Sequence, residues 1–213
     1  DLRSVIDAVA RGVGATTSTV DHVPAPARVG LDGDHQKDNA RVAAVLGARI
    51  GASPAAIAEG IAGARWPGRL ERIGPFLLDA AHNPDGAEAL ARHVRALGLP
   101  PGEVGLIFGA LADKDWRRML DALTPLASER CYVLAGAGAR AAVDPALMAG
   151  SYGGITAAGA SEACSLFERR MRQAGQAGQG AAPSLVVVAG SMLVVGEARA
   201  RLLSLPRDPP VAL

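Results

Sequence analysis

The chain has 213 residues, 49% of them hydrophobic but only 3% aromatic, which is enough for one or two domains with cores of Ala, Val, Leu and Ile and excludes wholesale disorder. Lys and Arg number 22 against 21 Asp and Glu, a net charge of +1, so no basic excess exists to neutralise a run of phosphates and a nucleic-acid partner is not expected. The only lysines are Lys37 and Lys114, and neither follows a glycine, so the Gly-Lys-Ser/Thr of a phosphate-binding P-loop is missing.

In chain order, Leu2, Val5, Ile6 and Val9 lie at helical spacing and predict a first helix over residues 2–13. Pro24 and Pro26 mark turns ahead of a short strand predicted at residues 28–31. Ala40, Ala43, Leu46 and Ile50 share one face of a helix over residues 35–50, and Ser53-Pro54 caps and opens another that runs to about residue 62. The segment GARWPGRLERIG interrupts helical pattern at Pro67 and Gly68 and predicts a domain boundary, with residues 1–65 on one side and 66–213 on the other.

Beyond that boundary the rhythm is regular. Strands are predicted at residues 76–78, 104–108, 131–134 and 185–189, and helices at 84–97, 115–126, 160–174 and 192–203, with a looser connection before residue 160. Apolar strands alternating with helices predict an α/β fold, a Rossmann-like, mainly parallel sheet with helices on both faces. Ligands of such sheets gather beyond the carboxyl ends of the strands. That directs attention to DAAHNP after the first strand, Gly109-Ala110-Leu111, Ala135 to Gly138, and Gly190-Ser191. Cys131 and Cys164 lie far apart in apolar settings and predict buried, reduced thiols rather than a disulfide or zinc site. The chain starts without a signal-like layout and has no apolar run of membrane-spanning length, which predicts a soluble cytoplasmic protein with no membrane partner.

Each candidate residue has a structural and a functional reading. Asp79 either stabilises a strand-to-helix turn or accepts from ribose hydroxyls, while Asn83 caps the helix that Pro84 opens. Asp79 and His82 resemble a metal pair but lack a third ligand, so no metal site is assigned. Arg69 either pairs with Glu71 or clamps a phosphate through its planar donors. Asn39 in HQKDNA either reads the edge of adenine or holds a neighbouring backbone group. Lys114 in LADKDW is either a solvated helix-start residue or a ligand, and Ser191 is a helix N-cap. GAGAR lacks the third glycine and the following acid of a dinucleotide fingerprint and is set aside.

The succession HQKDNA, RWPGRLE, LLDAAHNPDGAEAL, FGALADKDWRRML and VVVAGSMLVVGE resembles the C-terminal half of bacterial bifunctional folylpolyglutamate synthase/dihydrofolate synthase, within the Mur ligase superfamily. The resemblance runs through nearly the whole chain, with PGRLE and DAAHNP its most specific parts. It implies that residues 1–65 are the last piece of a P-loop ATPase domain and that 66–213 form the glutamate-ligase domain. It also implies ATP and Mg2+ as cofactors, the magnesium ligands and P-loop lying upstream in the family, and L-glutamate with a pterin or folate as substrates. By the same resemblance Asn39 contacts adenine, Arg69 the phosphates and Asp79 the ribose. His82, Asn83, Lys114 and Ser191 surround the incoming glutamate, and Arg69 and His82 are the catalytic candidates. A fragment without its ATPase domain is expected to be inactive alone. Two other readings stay open: a Mur-type ligase for another amino acid, and a noncatalytic nucleotide- or amino-acid-binding module.

Overall fold

The computed structural model describes residues 1–136, 140–177 and 182–206, and the chain divides into two units, Asp1–Arg65 and Trp66–Leu213. In the first unit, helix α1 (Leu2–Gly12) begins where the Asp1 carboxylate accepts from Arg3 N at 3.0 Å. Its apolar residues line one face as expected, yet none is buried: Leu2 is 75% exposed and Val9 60%. Helix α2 (His35–Arg49) buries only Gln36 and Ala40. Helix α3 (Pro54–Gly63) is opened by Ser53, whose hydroxyl accepts from Ala56 N at 3.2 Å.

The strand expected at residues 28–31 does not form. Gly30 N donates to Ile61 O at 3.0 Å and Gly30 O accepts from the Arg65 guanidinium at 3.4 Å. Gly30 lies so close to the end of α3 that a Cβ there would stand 2.5 Å from Ala62 O. The segment therefore satisfies its backbone against a helix end instead of a sheet partner.

The described residues of the second unit contain six strands: β1 (Glu71–Ile73), β2 (Phe76–Leu78), β3 (Val104–Phe108), β4 (Glu129–Val133), β5 (Ile155–Ala157) and β6 (Leu185–Ala189). They lie in the order β1-β2-β6-β3-β4-β5, every neighbouring pair parallel except β1 with β2. The helices are α4 (Pro84–Ala96), α5 (Trp116–Leu123), α6 (Pro145–Tyr152), α7 (Ala160–Ala177) and α8 (Met192–Leu202). Every residue of β3 and β6 is buried, the mark of strands covered on both faces. Val104, Leu106 and Phe108 pack in one core with Leu90 and Val94 of α4, Met119 and Leu120 of α5 and Met148 of α6. Ile107, Val186 and Val188 pack in the other core with Cys164 and Phe167 of α7 and Val195 and Ala198 of α8. The period-two alternation of the strands thus splits the apolar side chains between two helix layers.

Four local expectations change. The sheet gains an antiparallel edge because Gly74-Pro75 closes a two-residue turn, setting Ile73 opposite Phe76. The looser connection before residue 160 contains α6, capped where Asp144 accepts from Ala146 N at 2.8 Å with Pro145 in the first turn, and then β5. β4 starts two residues earlier than expected, and helix α5 ends at Leu123 in a single 3₁₀ turn, Thr124–Leu126. Both cysteines are buried free thiols. No described helix is long and apolar enough to cross a membrane.

Candidate functional site

The carboxyl ends of β2, β6 and β3 are joined side by side. Asp79 N donates to Val188 O at 3.0 Å, Gly109 N to Ala189 O at 3.4 Å and Gly190 N to Ala81 O at 3.0 Å. Asp79, Gly109 and Ser191 therefore share one rim of the sheet, as expected for a doubly wound fold. Lys114 follows on the loop that leaves β3, a loop tied to the one after β4 by Ala112 N to Ala141 O at 2.9 Å and by a bridge between Leu111 and Ala142. Residues 137–139 of the GAGAR segment lie outside the described residues.

Asp79 is buried, and its two oxygens serve different parts of the rim. Oδ1 accepts from Ala81 N at 2.9 Å and Oδ2 from Leu70 N at 3.0 Å. The second bond, with Ala80 N to Gly68 O at 2.7 Å, fastens the turn of residues 66–70 to the end of β2. Arg69 stands on that turn, exposed, and its guanidinium meets no hydrogen-bond or ion-pair partner among the described residues. The alternative that paired Arg69 with Glu71 is overturned, because Glu71 is taken by Arg199. Arg199 Nε lies 3.0 and 2.9 Å from the two Glu71 oxygens, and Oε2 also accepts from Gly68 N at 2.7 Å.

His82 is exposed next to this turn, with Nδ1 2.9 Å from Ala80 O. A carbonyl oxygen only accepts, so Nδ1 is the donor in this contact and Nε2 takes no part in it. Asn83 Oδ1 caps α4 by accepting from Gly86 N at 2.8 Å, a bond that does not use its amide N–H groups. Ser191 Oγ accepts from Leu193 N at 3.2 Å and caps α8, and the residue is buried at the rim. Lys114 Nζ stands 3.7 Å from the Asp113 carboxylate, which makes its shorter contact, 2.6 Å, with Arg140. Asn39 belongs to the first unit and donates to the Gln36 side chain at 2.9 Å.

Sequence reasoning missed Arg199, Asp113 and Arg140. Arg199 is 128 residues from its partner, a separation that no local pattern reports. Arg140 sits at the end of a segment set aside as an incomplete glycine motif. Among the described residues no group of three or more His, Cys, Asp or Glu is arranged to hold a metal ion.

Comparison with known proteins gives this rim a family. The Mur ligase, glutamate ligase domain family matches residues 68–192. A probable bifunctional folylpolyglutamate synthase/dihydropteroate synthase of Halobacterium salinarum is 33% identical over 217 residues, covering 94% of this chain and 26% of that protein. A folylpolyglutamate synthase of Lacticaseibacillus casei is 38% identical over 106 residues, covering 45% of this chain and 24% of that protein. The structure of Mycobacterium tuberculosis folylpolyglutamate synthase complexed with ADP superposes with a TM-score of 0.67 at 32% identity, covering 85% of this chain and 42% of that one. The chain spans about a quarter of the length of these curated relatives. The sheet, its ligand-side rim and these matches agree: the chain belongs to the Mur ligase family and contains its glutamate ligase domain, related to that of folylpolyglutamate synthase.

Proposed function

We propose that this chain is part of a cytoplasmic ATP-dependent ligase that joins L-glutamate to dihydropteroate or a (tetrahydro)folate through an acyl phosphate. The observation that carries the reading is the unpartnered Arg69, fastened to the same sheet rim as Asp79, His82 and Ser191, in a domain whose relatives are named folylpolyglutamate synthases. Residues 1–65 are assigned to the end of the ATPase domain and 66–213 to the glutamate-ligase domain.

The reaction transfers the γ-phosphoryl group of ATP to a substrate carboxylate. The glutamate amine then attacks the acyl carbon, loses a proton and expels phosphate, leaving an amide. Catalysis of this kind is mainly positioning and charge stabilisation. Asn39 is assigned to adenine. Arg69 offers planar donors to the phosphates, whose charge shifts as the phosphoryl group moves. Asp79 is assigned to the ribose hydroxyls, for which a carboxylate at the sheet rim is a suited acceptor. Nε2 of His82 is suited to take the proton that the attacking amine releases. Lys114 supplies a cation for a glutamate carboxylate, since Asp113 makes its closer contact with Arg140. Asn83 and Ser191 complete the glutamate side. The described residues do not fit a seat for Mg2+, and its ligands are assigned to the ATPase part of the enzyme.

The test is ADP release by the full-length ligase containing this chain, with dihydropteroate or tetrahydrofolate and a panel of amino acids. Release that depends on L-glutamate supports the reading. Release that depends instead on lysine or diaminopimelate with a peptide precursor assigns the chain to a peptide-adding Mur ligase. Nucleotide binding without turnover of any substrate assigns it to a binding module.

A further inference from the structure

The turn that carries Arg69 is held more firmly than its exposure requires. Gly68 has φ +70° and its Cα faces α8 so closely that a Cβ would meet Val195 Cγ1 at 2.7 Å. Leu70 adopts φ +47°, a left-handed region disfavoured for any residue with a Cβ, while its side chain is buried in the core. A residue is kept in that region only where its surroundings over-determine it. Here the surroundings are three polar ties: Leu70 N to Asp79, Ala80 N to Gly68 O, and Gly68 N to Glu71. The third tie does not end at Glu71. Both Glu71 oxygens are held by Arg199 Nε, seven residues into α8 from its first residue, so the turn is anchored to a helix whose own N-cap is Ser191.

We infer that Glu71 and Arg199 are positioning residues for Arg69: the relay from Arg199 through Glu71 to Gly68 N–H fixes the turn so that the Arg69 guanidinium is presented, unpartnered, at the rim. Because the relay starts on α8, it also sets the Arg69 turn and Ser191 in one rigid frame. Phosphate and amino-acid groups are then registered against each other by a single helix. The half-buried ion pair suits this task, since a guanidinium contacting both oxygens constrains orientation as well as distance. Glu71 and Arg199 do not touch the reacting groups; they act through Arg69. The inference rests on the reading of Arg69 as the phosphate-binding group.

The test is a mutant cycle in the full-length ligase, reading kcat, the KM for glutamate and the melting temperature of each variant. Arg69→Ala sets the reference, with an expected kcat loss of about 10²–10³. Glu71→Gln keeps an acceptor but loses the charge, and should lower kcat by about 10–100-fold, the scale of a displacement near 1 Å, at unchanged KM for glutamate. Arg199→Lys keeps the charge and should retain more activity than Arg199→Gln. The deciding measurement is the double variant Arg69→Ala/Glu71→Gln, which should be no slower than Arg69→Ala alone, because Glu71 has nothing left to position. Losses that multiply in the double variant would overturn the inference, as would a Glu71→Gln protein with a lowered melting temperature and wild-type kcat. If Glu71→Gln does not fold, the same cycle is run with Arg199→Lys. An Arg69→Ala enzyme with wild-type kcat would overturn the underlying reading itself, and that single variant tells the two failures apart.

Discussion

Removing one oxygen from the core should stabilise the second unit. Tyr132, on β4, is fully buried, and its hydroxyl has no hydrogen-bond partner among the described residues. Its ring packs tightly near Gly154, where a Cβ would stand 3.1 Å from Cε2. Burial pushes the phenol's pKa up, partly opposed by the Arg130 charge, so the group stays a neutral O–H out of bulk solvent. An unpaired buried polar group of this kind costs about 1–3 kcal/mol. Tyr132→Phe removes that cost. The oxygen-sized void it leaves returns only about 0.3 kcal/mol, at about 24 cal/mol per Å³. The net gain should be about 1–2 kcal/mol, or a rise in melting temperature of about 2–8 °C for a unit of this size. The assay is urea unfolding followed by near-ultraviolet circular dichroism, using the edge-on Trp116–Tyr152 pair (ring centroids 6.3 Å apart) as a probe in the same unit. A loss of more than about 1 kcal/mol would show that the hydroxyl is hydrogen-bonded in solution and that the reasoning is wrong.

Gly190→Ala should destabilise the second unit by roughly 3 kcal/mol or more, because Gly190 has φ +106° and a Cβ there would stand 2.5 Å from Gly109 O; a urea midpoint equal to wild type would contradict this. Cys131 and Cys164 should resist a thiol reagent at pH 8 until the protein unfolds, since burial pushes both thiols from 9.0 up to about 12. Because these pKa values are raised in the folded state, the thiols' contribution to stability is intact below about pH 9 and is lost as pH climbs toward 12, with a slope of up to about 1.4 kcal/mol per pH unit for each thiol; alkaline urea titrations of a Cys→Ser pair should flatten that decline. This chain alone should release no phosphate from ATP above a mock preparation, and any glutamate-dependent release would refute the assignment of the phosphate cradle to another part of the enzyme. In the full-length ligase, Asp79→Ala should chiefly raise the KM for ATP and Lys114→Ala the KM for glutamate, whereas a change in thermal stability alone would reduce both to structural residues.

What the sequence showed depended on how local the cause was. β2, β3 and β6 were found residue for residue because strands buried on both faces are short unbroken apolar runs, and Ser53, Asn83 and Ser191 were readable as caps because capping is a matter of neighbours. β1 was hidden because it lies within GARWPGRLERIG, taken whole as a boundary segment, although Gly74-Pro75 is the turn of a hairpin. α6 carried an Asp-Pro start signal inside a stretch taken to be irregular. The strand expected at residues 28–31 failed on a contact with α3, about 30 residues away, which no local pattern contains. At the rim, the grouping of Asp79 and Ser191 followed from the fold class. The true partner of Glu71 did not, because the choice between Arg69 and Arg199 is made by the packing of α8 on the turn.

The position of β6 has a consequence for how this domain comes into being. Of the described strands it is the last to be synthesised, yet it lies between β2 and β3, pairing Phe76 with Val186 and Val104 with Leu185. Until it arrives, β2 with β1 and β3 with β4 and β5 are two half-sheets, each presenting an apolar strand edge to solvent. Sheet closure therefore waits on contacts between residues about 80 to 110 positions apart, and such non-local pairing is slow because loop entropy is lost before the contacts reward it. Translation that stalls before Leu185 would leave two open edges able to pair with other nascent chains, an aggregation hazard that ends when a single five-residue strand inserts.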